Sequence, residues 1–360
     1  MNDKIYICLE NGDVFEGRSF GAKGEVLGEL VFTTGMGGYI ETLTDPSYFG
    51  QIVIQTFPLI GNYGFIDEDM ESESSAVSAY IVREYCDNPS NFRCDYNLEK
   101  FLIDNNIIGV YDVDTRELTK VIRESGVMNA VITSNPQNAD IERIKEYQII
   151  KAVKTVSCQK PYMSASDEHK HNVVLIDYGT KKNIVRELNK RGCNVAVVPY
   201  DTKAEDILSL NPDGIMLSNG PGDPAENTNA IEELKKLVGK KPIFAICLGH
   251  QLLALSQGAE TTKLKYGHRG VNQPVKNLET GRTFISSQNH GYAVVNETVE
   301  AAGGVVSFIN ANDETCEGID YKKKMAFSVQ FHPEACSGPL DTRFIFDKFI
   351  NMMEDNNNAS

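Results

Sequence analysis

The chain has 360 residues, 41% hydrophobic and 24% charged, with a formal net charge of −15. That length accommodates two domains with substantial cores. The acidic balance argues against nucleic acid as the main partner, and no apolar run approaches the length that crosses a membrane.

The N-terminus, Met1 to Ile5, shows no basic stretch followed by an apolar core, so no signal peptide is expected. Lys4 to Phe20 alternates around Asn11-Gly12-Asp13 and predicts a β-hairpin. Gly28 to Thr34 reads as a strand. The Gly-rich Thr34 to Tyr39 and the segment Glu41 to Tyr48 read as chain reversal, and Gln51 to Phe57 is again β-rich. Gly64 to Ser75 is acidic and Ser-rich, as in an exposed loop, and Ala76 to Tyr85 is β-prone. Helices are expected over Asn97–Asn105 and Thr115–Arg123, the latter capped by Asp114 or Thr115 and ended by Gly126. Met128 to Thr133 is a strand. This half is mixed α/β and holds no catalytic constellation of its own.

Ser157 to Asn172 is polar and aperiodic, and reads as an interdomain linker with solvated His169 and His171. The expected division is therefore 1–156, linker 157–172, and 173–360. From Val173 strand and helix alternate: strands over 173–177, 195–198, 214–217 and 242–246, helices over 181–190, 204–210 and 229–238. That alternation predicts a doubly wound, mostly parallel α/β sheet covered on both faces, with chemistry at the carboxyl ends of the strands. The turn Asp177-Tyr-Gly-Thr-Lys-Lys lacks the spaced glycines of a dinucleotide site, and no Walker-type loop occurs. Short strands return after Ala259. A final helix spans Asp341 to Met353, followed by a frayed tail from Glu354 to Ser360.

The strand Pro242 to Ile246 runs into Cys247 and then a helix through Leu252, Leu253 and Leu255. This has the layout of a nucleophile elbow, in which helix-terminal N–H groups favour a thiolate. Most core cysteines are only small hydrophobes. Here, however, His332 and Glu334 stand two apart after the apolar run Met325 to Phe331, so a carboxylate can orient an imidazole that serves the thiol. The Gly-rich Ser218-Asn-Gly-Pro-Gly-Asp-Pro224 follows another strand and falls on the same sheet edge. His250 is too close in sequence to Cys247 to be its base. His290 reads as structural and His268 as loop-shaping. Cys247 and His250 are spaced like metal ligands, but no second pair matches, so no metal site is expected. The eight cysteines are scattered without paired spacing and read as reduced thiols of a cytoplasmic protein.

Ile246-Cys-Leu-Gly-His-Gln251, Ser218 to Pro224 and Phe331-His-Pro-Glu334 together resemble the class I (triad-type) glutamine amidotransferases. Gly267-His-Arg-Gly-Val-Asn-Gln-Pro274, Gln288-Asn-His-Gly-Tyr-Ala-Val294, Phe32-Thr-Thr-Gly-Met36, Thr44-Asp-Pro-Ser-Tyr48 and Asp114-Thr-Arg-Glu-Leu-Thr119 narrow the resemblance. It becomes that to the small-subunit family of carbamoyl-phosphate synthetases and covers nearly the whole chain.

The resemblance implies a glutaminase with Cys247 as nucleophile, His332 as base and acid, and Glu334 orienting His332. It also implies an L-glutamine site formed by Ser47, Gly220, Gly222, Leu248, Gln251, Asn289, Gly291 and Tyr292, with Gly220 and Leu248 N–H groups as oxyanion donors. Ammonia would pass to a separate large synthetase subunit, which makes carbamoyl phosphate for arginine and pyrimidine synthesis. ATP and a divalent metal belong to that subunit, so no cofactor is expected in this chain, and a higher oligomer of heterodimers is allowed. Two departures are Ala245, where the family usually has Gly, and Ser337, where Pro is common. Neither touches the triad.

Overall fold

The computed structural model describes residues 4–335 and 337–358, so the expectation about the extreme N-terminus falls in part outside the described residues. The chain divides into two compact units, Met1–Ile150 with Lys265–Gly270, and Lys151–Leu264 with Val271–Ser360. This differs from the expected 1–156, 157–172 and 173–360. Ala152–Val156, expected in the first domain, is a helix of the second unit, and the supposed linker is folded into that unit too, where Tyr162–Ser164 is a sheet-edge strand. Three residues are too few to show a period, and an edge strand has an open side where polar sequence is tolerated.

The first unit is built on β1 (Lys4–Leu9), β2 (Val14–Gly21), β3 (Val26–Thr33), β4 (Gln51–Gln55), β5 (Leu59–Ile60), β6 (Ala79–Ile81), β7 (Glu84–Tyr85), β8 (Ile108–Tyr111) and β9 (Met128–Thr133). Seven of these close into a barrel, in the order β1-β2-β8-β6-β4-β3-β9, while β5 and β7 pair separately. The expected hairpin is β1 with β2, antiparallel from Lys4↔Arg18 to Cys8↔Val14. Closure comes from β1 with β9, where Tyr6 faces Thr133. The period-2 alternation of each strand sorts its residues into two cores. Ile7, Leu30, Ile52, Ile54, Ile81 and Ile132 join one cluster, to which the helix Thr115–Ser125 adds Leu118 and Ile122. Val31, Val53 and Tyr80 join the other, with Phe101 of the helix Leu98–Asp104. The Asp114 side chain accepts from the Glu117 N–H at 3.0 Å, which settles the cap of the helix Thr115–Ser125. The segment expected to be a plain reversal forms a helix over Tyr39–Thr44 and a 3₁₀ turn over Pro46–Tyr48.

The second unit carries a ten-stranded sheet made of β10 (Tyr162–Ser164), β11 (His171–Asp177), β12 (Cys193–Pro199), β13 (Gly214–Leu217), β14 (Ile243–Ile246), β15 (Thr261–Asn277), β16 (Thr283–Val294), β17 (Val305–Asn310), β18 (Cys316–Tyr321) and β19 (Ala326–Val329). Its order is β10-β12-β11-β13-β14-β19-β18-β17-β15-β16. The five strands β12-β11-β13-β14-β19 are parallel, as the strand–helix alternation requires. Val174 and Ile176 face one core while Val173 and Leu175 face the other, so both faces are covered. Burying one such aliphatic side chain contributes ~1.5–3 kcal/mol.

Four further expectations differ from the structure. His171 is buried at the start of β11, not solvated. After Ala259 the strands are long, with 17 residues in β15 and 12 in β16, and His268 lies within β15 rather than in a loop. The last helix runs Phe344–Asn358, anchored by buried Phe346, Phe349 and Met353, so Glu354 to Asn358 are helical. The remainder of the expected frayed tail, residues 359 and 360, lies outside the described residues.

Candidate active site

The carboxyl ends of β11, β13, β14 and β19 lie on one edge of the second unit's sheet. β11 ends at Asp177, β13 leads to Ser218, β14 leads to Cys247, and β19 leads within three residues to His332. Strand order reverses about β11, which makes this edge a topological switch point. The loops are tied together. Asp177 Oδ1 accepts from the N–H groups of Gly179 and Thr180 (2.9 and 2.8 Å), Ser218 Oγ from that of Tyr178 (2.8 Å), and Asn219 Oδ1 from that of Lys181 (3.0 Å).

Cys247 occupies φ 53°, ψ −106°, immediately before the helix Leu248–Ser256. A positive φ at a non-glycine residue is strained and persists only where neighbours enforce it. Here they do: the Cys247 N–H donates to Val329 O at 2.9 Å, and that of Gly249 to Ser218 O at 3.0 Å. Gly249 is required, because a Cβ there would stand 2.6 Å from Leu217 O. Leu248 is the first helical residue, so its N–H has no intrahelical acceptor and is available to a developing oxyanion. Gly220 also admits no side chain, since a Cβ would lie 2.3 Å from Tyr178 O. Gly222 adopts φ +86°. Ala245 is fully buried in β14 between Leu217 and Ser328, so its methyl belongs to the sheet packing, and Ser337 is half-buried.

His332 and Glu334 form the expected unit. His332 Nδ1 lies 2.7 Å from Glu334 Oε1, and both side chains are buried. His332 Nε2 is buried without a partner, which leaves that nitrogen as the one able to exchange a proton with a nucleophile. The structure adds a member that the sequence argument missed. Lys181 Nζ sits 2.7 Å from the same Glu334 oxygen, and Lys181 is 3% exposed. Burial alone would raise the Glu334 carboxyl, but the Lys181 ammonium and His332 outweigh it and hold the group at about 2. Asn183 donates to the Glu334 backbone carbonyl.

β16 runs past all of these parts. Ser287 O accepts from the His332 N–H at 2.9 Å, and Asn289 O accepts from Cys247 Sγ at 3.7 Å. Tyr292 O accepts from Gln251 Nε2 at 2.8 Å. Asn289, Gly291, Tyr292, Leu248, Gln251, Gly220 and Gly222 therefore all lie in the unit that holds Cys247, His332 and Glu334. Ser47 belongs to the first unit, in the 3₁₀ turn where its N–H donates to Asp45 Oδ1 at 2.9 Å.

His250 and His290 are each held by hydrogen bonds to neighbouring groups. His250 is fully buried, Nδ1 lies 2.8 Å from Ser328 Oγ, and burial pushes its imidazole down to about 3. His290 Nδ1 donates to Tyr292 O at 2.7 Å, which supports the β16 backbone.

This arrangement can perform thiol-based acyl transfer. It has a strained cysteine at a helix N-terminus, an oriented imidazole, a buried ionised carboxylate, and main-chain donors beside them. Residues 174–352 match the family described as glutamine amidotransferase class-I, and residues 7–132 match carbamoyl-phosphate synthase small chain, CPSase domain. The carbamoyl phosphate synthase small chain of Clostridium perfringens is 51% identical over 353 residues, covering 96% of this chain and 99% of that one. That of Bacillus cereus is 52% identical over 356 residues, covering 98% and 96%. Among solved structures, a glutamine amidotransferase from Thermotoga maritima is 18% identical with a TM-score of 0.40, covering 52% of this chain and 86% of that one.

Proposed function

Because this chain belongs to the family of carbamoyl-phosphate synthase small chains, we propose that it hydrolyses L-glutamine and hands the ammonia to a large synthase chain. The observation that carries the mechanism is the buried Lys181–Glu334–His332 array on the sheet edge where Cys247 sits on its strained turn.

His332 Nε2 takes the Cys247 thiol proton, and Sγ attacks the side-chain amide carbon of glutamine. The carbonyl oxygen gains negative charge, stabilised by the N–H groups of Leu248 and Gly220. His332 returns the proton to the departing nitrogen, the C–N bond breaks, and ammonia leaves with a γ-glutamyl thioester behind. Water, deprotonated by the same Nε2, attacks the thioester, and the C–S bond breaks to give glutamate and the thiol. Glu334 stays ionised throughout and stabilises the imidazolium formed in each half-reaction. Gly222, Gln251, Asn289, Gly291 and Tyr292 hold the amino-acid part of the substrate, and the family resemblance adds Ser47.

The chain itself needs no cofactor for this chemistry. ATP, a divalent metal and bicarbonate belong to the large chain, where carbamoyl phosphate is made. Among the described residues no helix is long and apolar enough to cross a membrane, and the setting is cytoplasmic, with heterodimers as the unit of any larger assembly. The test is glutamate release by the full chain, as wild type, Cys247→Ser and His332→Asn. Each substitution is expected to cost at least about a thousandfold in kcat/KM. Glutamate release by Cys247→Ser at the wild-type rate would remove the proposal.

A further inference from the structure

Gln330 lies outside the triad and outside the glutamine-binding set, yet it is fully buried beside that set. Its Oε1 accepts from Gln251 Nε2 at 2.9 Å, and its own Nε2 is buried with no partner. A buried amide left with an unused donor is costly, and such an arrangement persists where one particular bond is needed.

The needed bond concerns the orientation of Gln251. A glutamine amide has two N–H donors and one carbonyl acceptor. Gln251 Nε2 donates to Tyr292 O at 2.8 Å and to Gln330 Oε1 at 2.9 Å, so both donors are used. Tyr292 O is a main-chain carbonyl and engages only one of the two N–H groups, so it is Gln330 Oε1 that takes the second and holds the amide in this one orientation. Gln251 Oε1 accepts no bond among the described residues and, unlike Gln330 Nε2, is not sealed from solvent. The amide therefore offers an acceptor and no donor to a ligand. Gln330 directly follows β19, and its own N–H donates to Glu317 O at 2.9 Å, so its backbone is fixed as well.

We propose that Gln330 is a positioning residue that locks the amide of Gln251 with its carbonyl toward the substrate, so that the site selects a ligand carrying a hydrogen-bond donor, the α-ammonium group of an amino acid. The inference rests on the glutaminase reading and specifies how that site tells glutamine from an amide lacking the amino group. A Gln251 amide free to turn would present a donor part of the time, and a donor facing an ammonium group repels it. Selection built on a satisfied polar pair of this kind rejects an analogue lacking the group far more strongly than apolar contact does.

The test compares L-glutamine with glutaramate, the same amide without the α-amino group, as substrates of the full chain combined with a large synthase chain. Wild type is expected to favour glutamine by at least about a hundredfold in kcat/KM. Gln330→Met removes the acceptor at similar volume and is expected to shrink that preference about tenfold, chiefly through a higher KM for glutamine, with kcat much less affected. Gln330→Glu keeps the acceptor and is expected to retain the preference to within about threefold. Should Gln330→Met not fold, Gln330→Asn, one methylene too short to reach Gln251, carries the same expectation. An unchanged preference in Gln330→Met or Gln330→Asn, alongside a glutaminase that Cys247→Ser abolishes, overturns the inference and leaves the glutaminase reading intact. Failure of wild type to release glutamate, or full activity in Cys247→Ser, overturns the glutaminase reading and the inference with it.

Discussion

Replacing Lys181 with methionine removes the ammonium that lies 2.7 Å from Glu334 while keeping most of the side chain's volume. Both partners are enclosed, at 3% and 0% side-chain exposure, so solvent cannot take over the role of the lost charge. Breaking a buried pair from one side costs about 3–5 kcal/mol. The pH dependence gives a second reading. Glu334 falls from an ordinary 4.5 to about 2 in the folded chain, which corresponds to ~3 kcal/mol of stability. Because the folded carboxyl holds its proton less tightly than the unfolded one, this contribution is complete above about pH 4.5 and is lost as pH falls toward 2. Urea unfolding of wild type and Lys181→Met at pH values from 7 to 3 measures both effects. The variant is expected to be less stable by several kcal/mol at pH 7 and to lose less on acidification, because its Glu334 already sits nearer the ordinary range. Its kcat/KM for glutamine is expected to fall about ten- to a hundredfold, since a carboxyl that shares its proton stabilises the imidazolium less. A variant with wild-type stability at pH 7, the same acid slope and unchanged kcat/KM would refute the reasoning.

The buried His250 imidazole, pushed from 6.5 to about 3, gives a contribution that is complete above about pH 6.5 and is lost as pH falls toward 3. His250→Gln is expected to flatten the stability profile between pH 6.5 and 4 by a few kcal/mol, read by urea unfolding, while glutamate release falls less than about fivefold. Gly249→Ala would place a Cβ 2.6 Å from Leu217 O, so calorimetry is expected to show a loss of about 1–3 kcal/mol. Glutaminase activity is expected to fall with it, because the same strain moves the Cys247 turn.

The parallel half of the fold was readable because buried parallel strands are continuous apolar runs. Val173–Asp177, Gly214–Leu217 and Pro242–Ile246 stand out on that ground, and the turn after each falls on the same sheet edge. Asn11-Gly12 announced its hairpin by turn chemistry alone. Barrel closure was not readable: the pairing of Tyr6 with Thr133 joins strands far apart in sequence, and no local pattern encodes it. Tyr162–Ser164 was too short to carry a period. In the proposed site, Cys247 stands out by its place between an apolar strand and a helix, and His332 and Glu334 by being two residues apart on extended chain. Lys181 carries a positional signal. It stands on the turn after β11, which the strand order puts on the same edge as Ser218 and Cys247. Gln330 gave no sequence signal, because its significance lies in which way another amide faces.

The most direct test of the central claim combines the chain with a large synthase chain and measures carbamoyl phosphate production from glutamine and, separately, from ammonium. Cys247→Ser is expected to abolish the glutamine-dependent reaction and leave the ammonium-dependent one intact, as a chain that only supplies ammonia requires. Equal use of glutamine by wild type and Cys247→Ser would contradict the account and leave the chain as a non-catalytic partner.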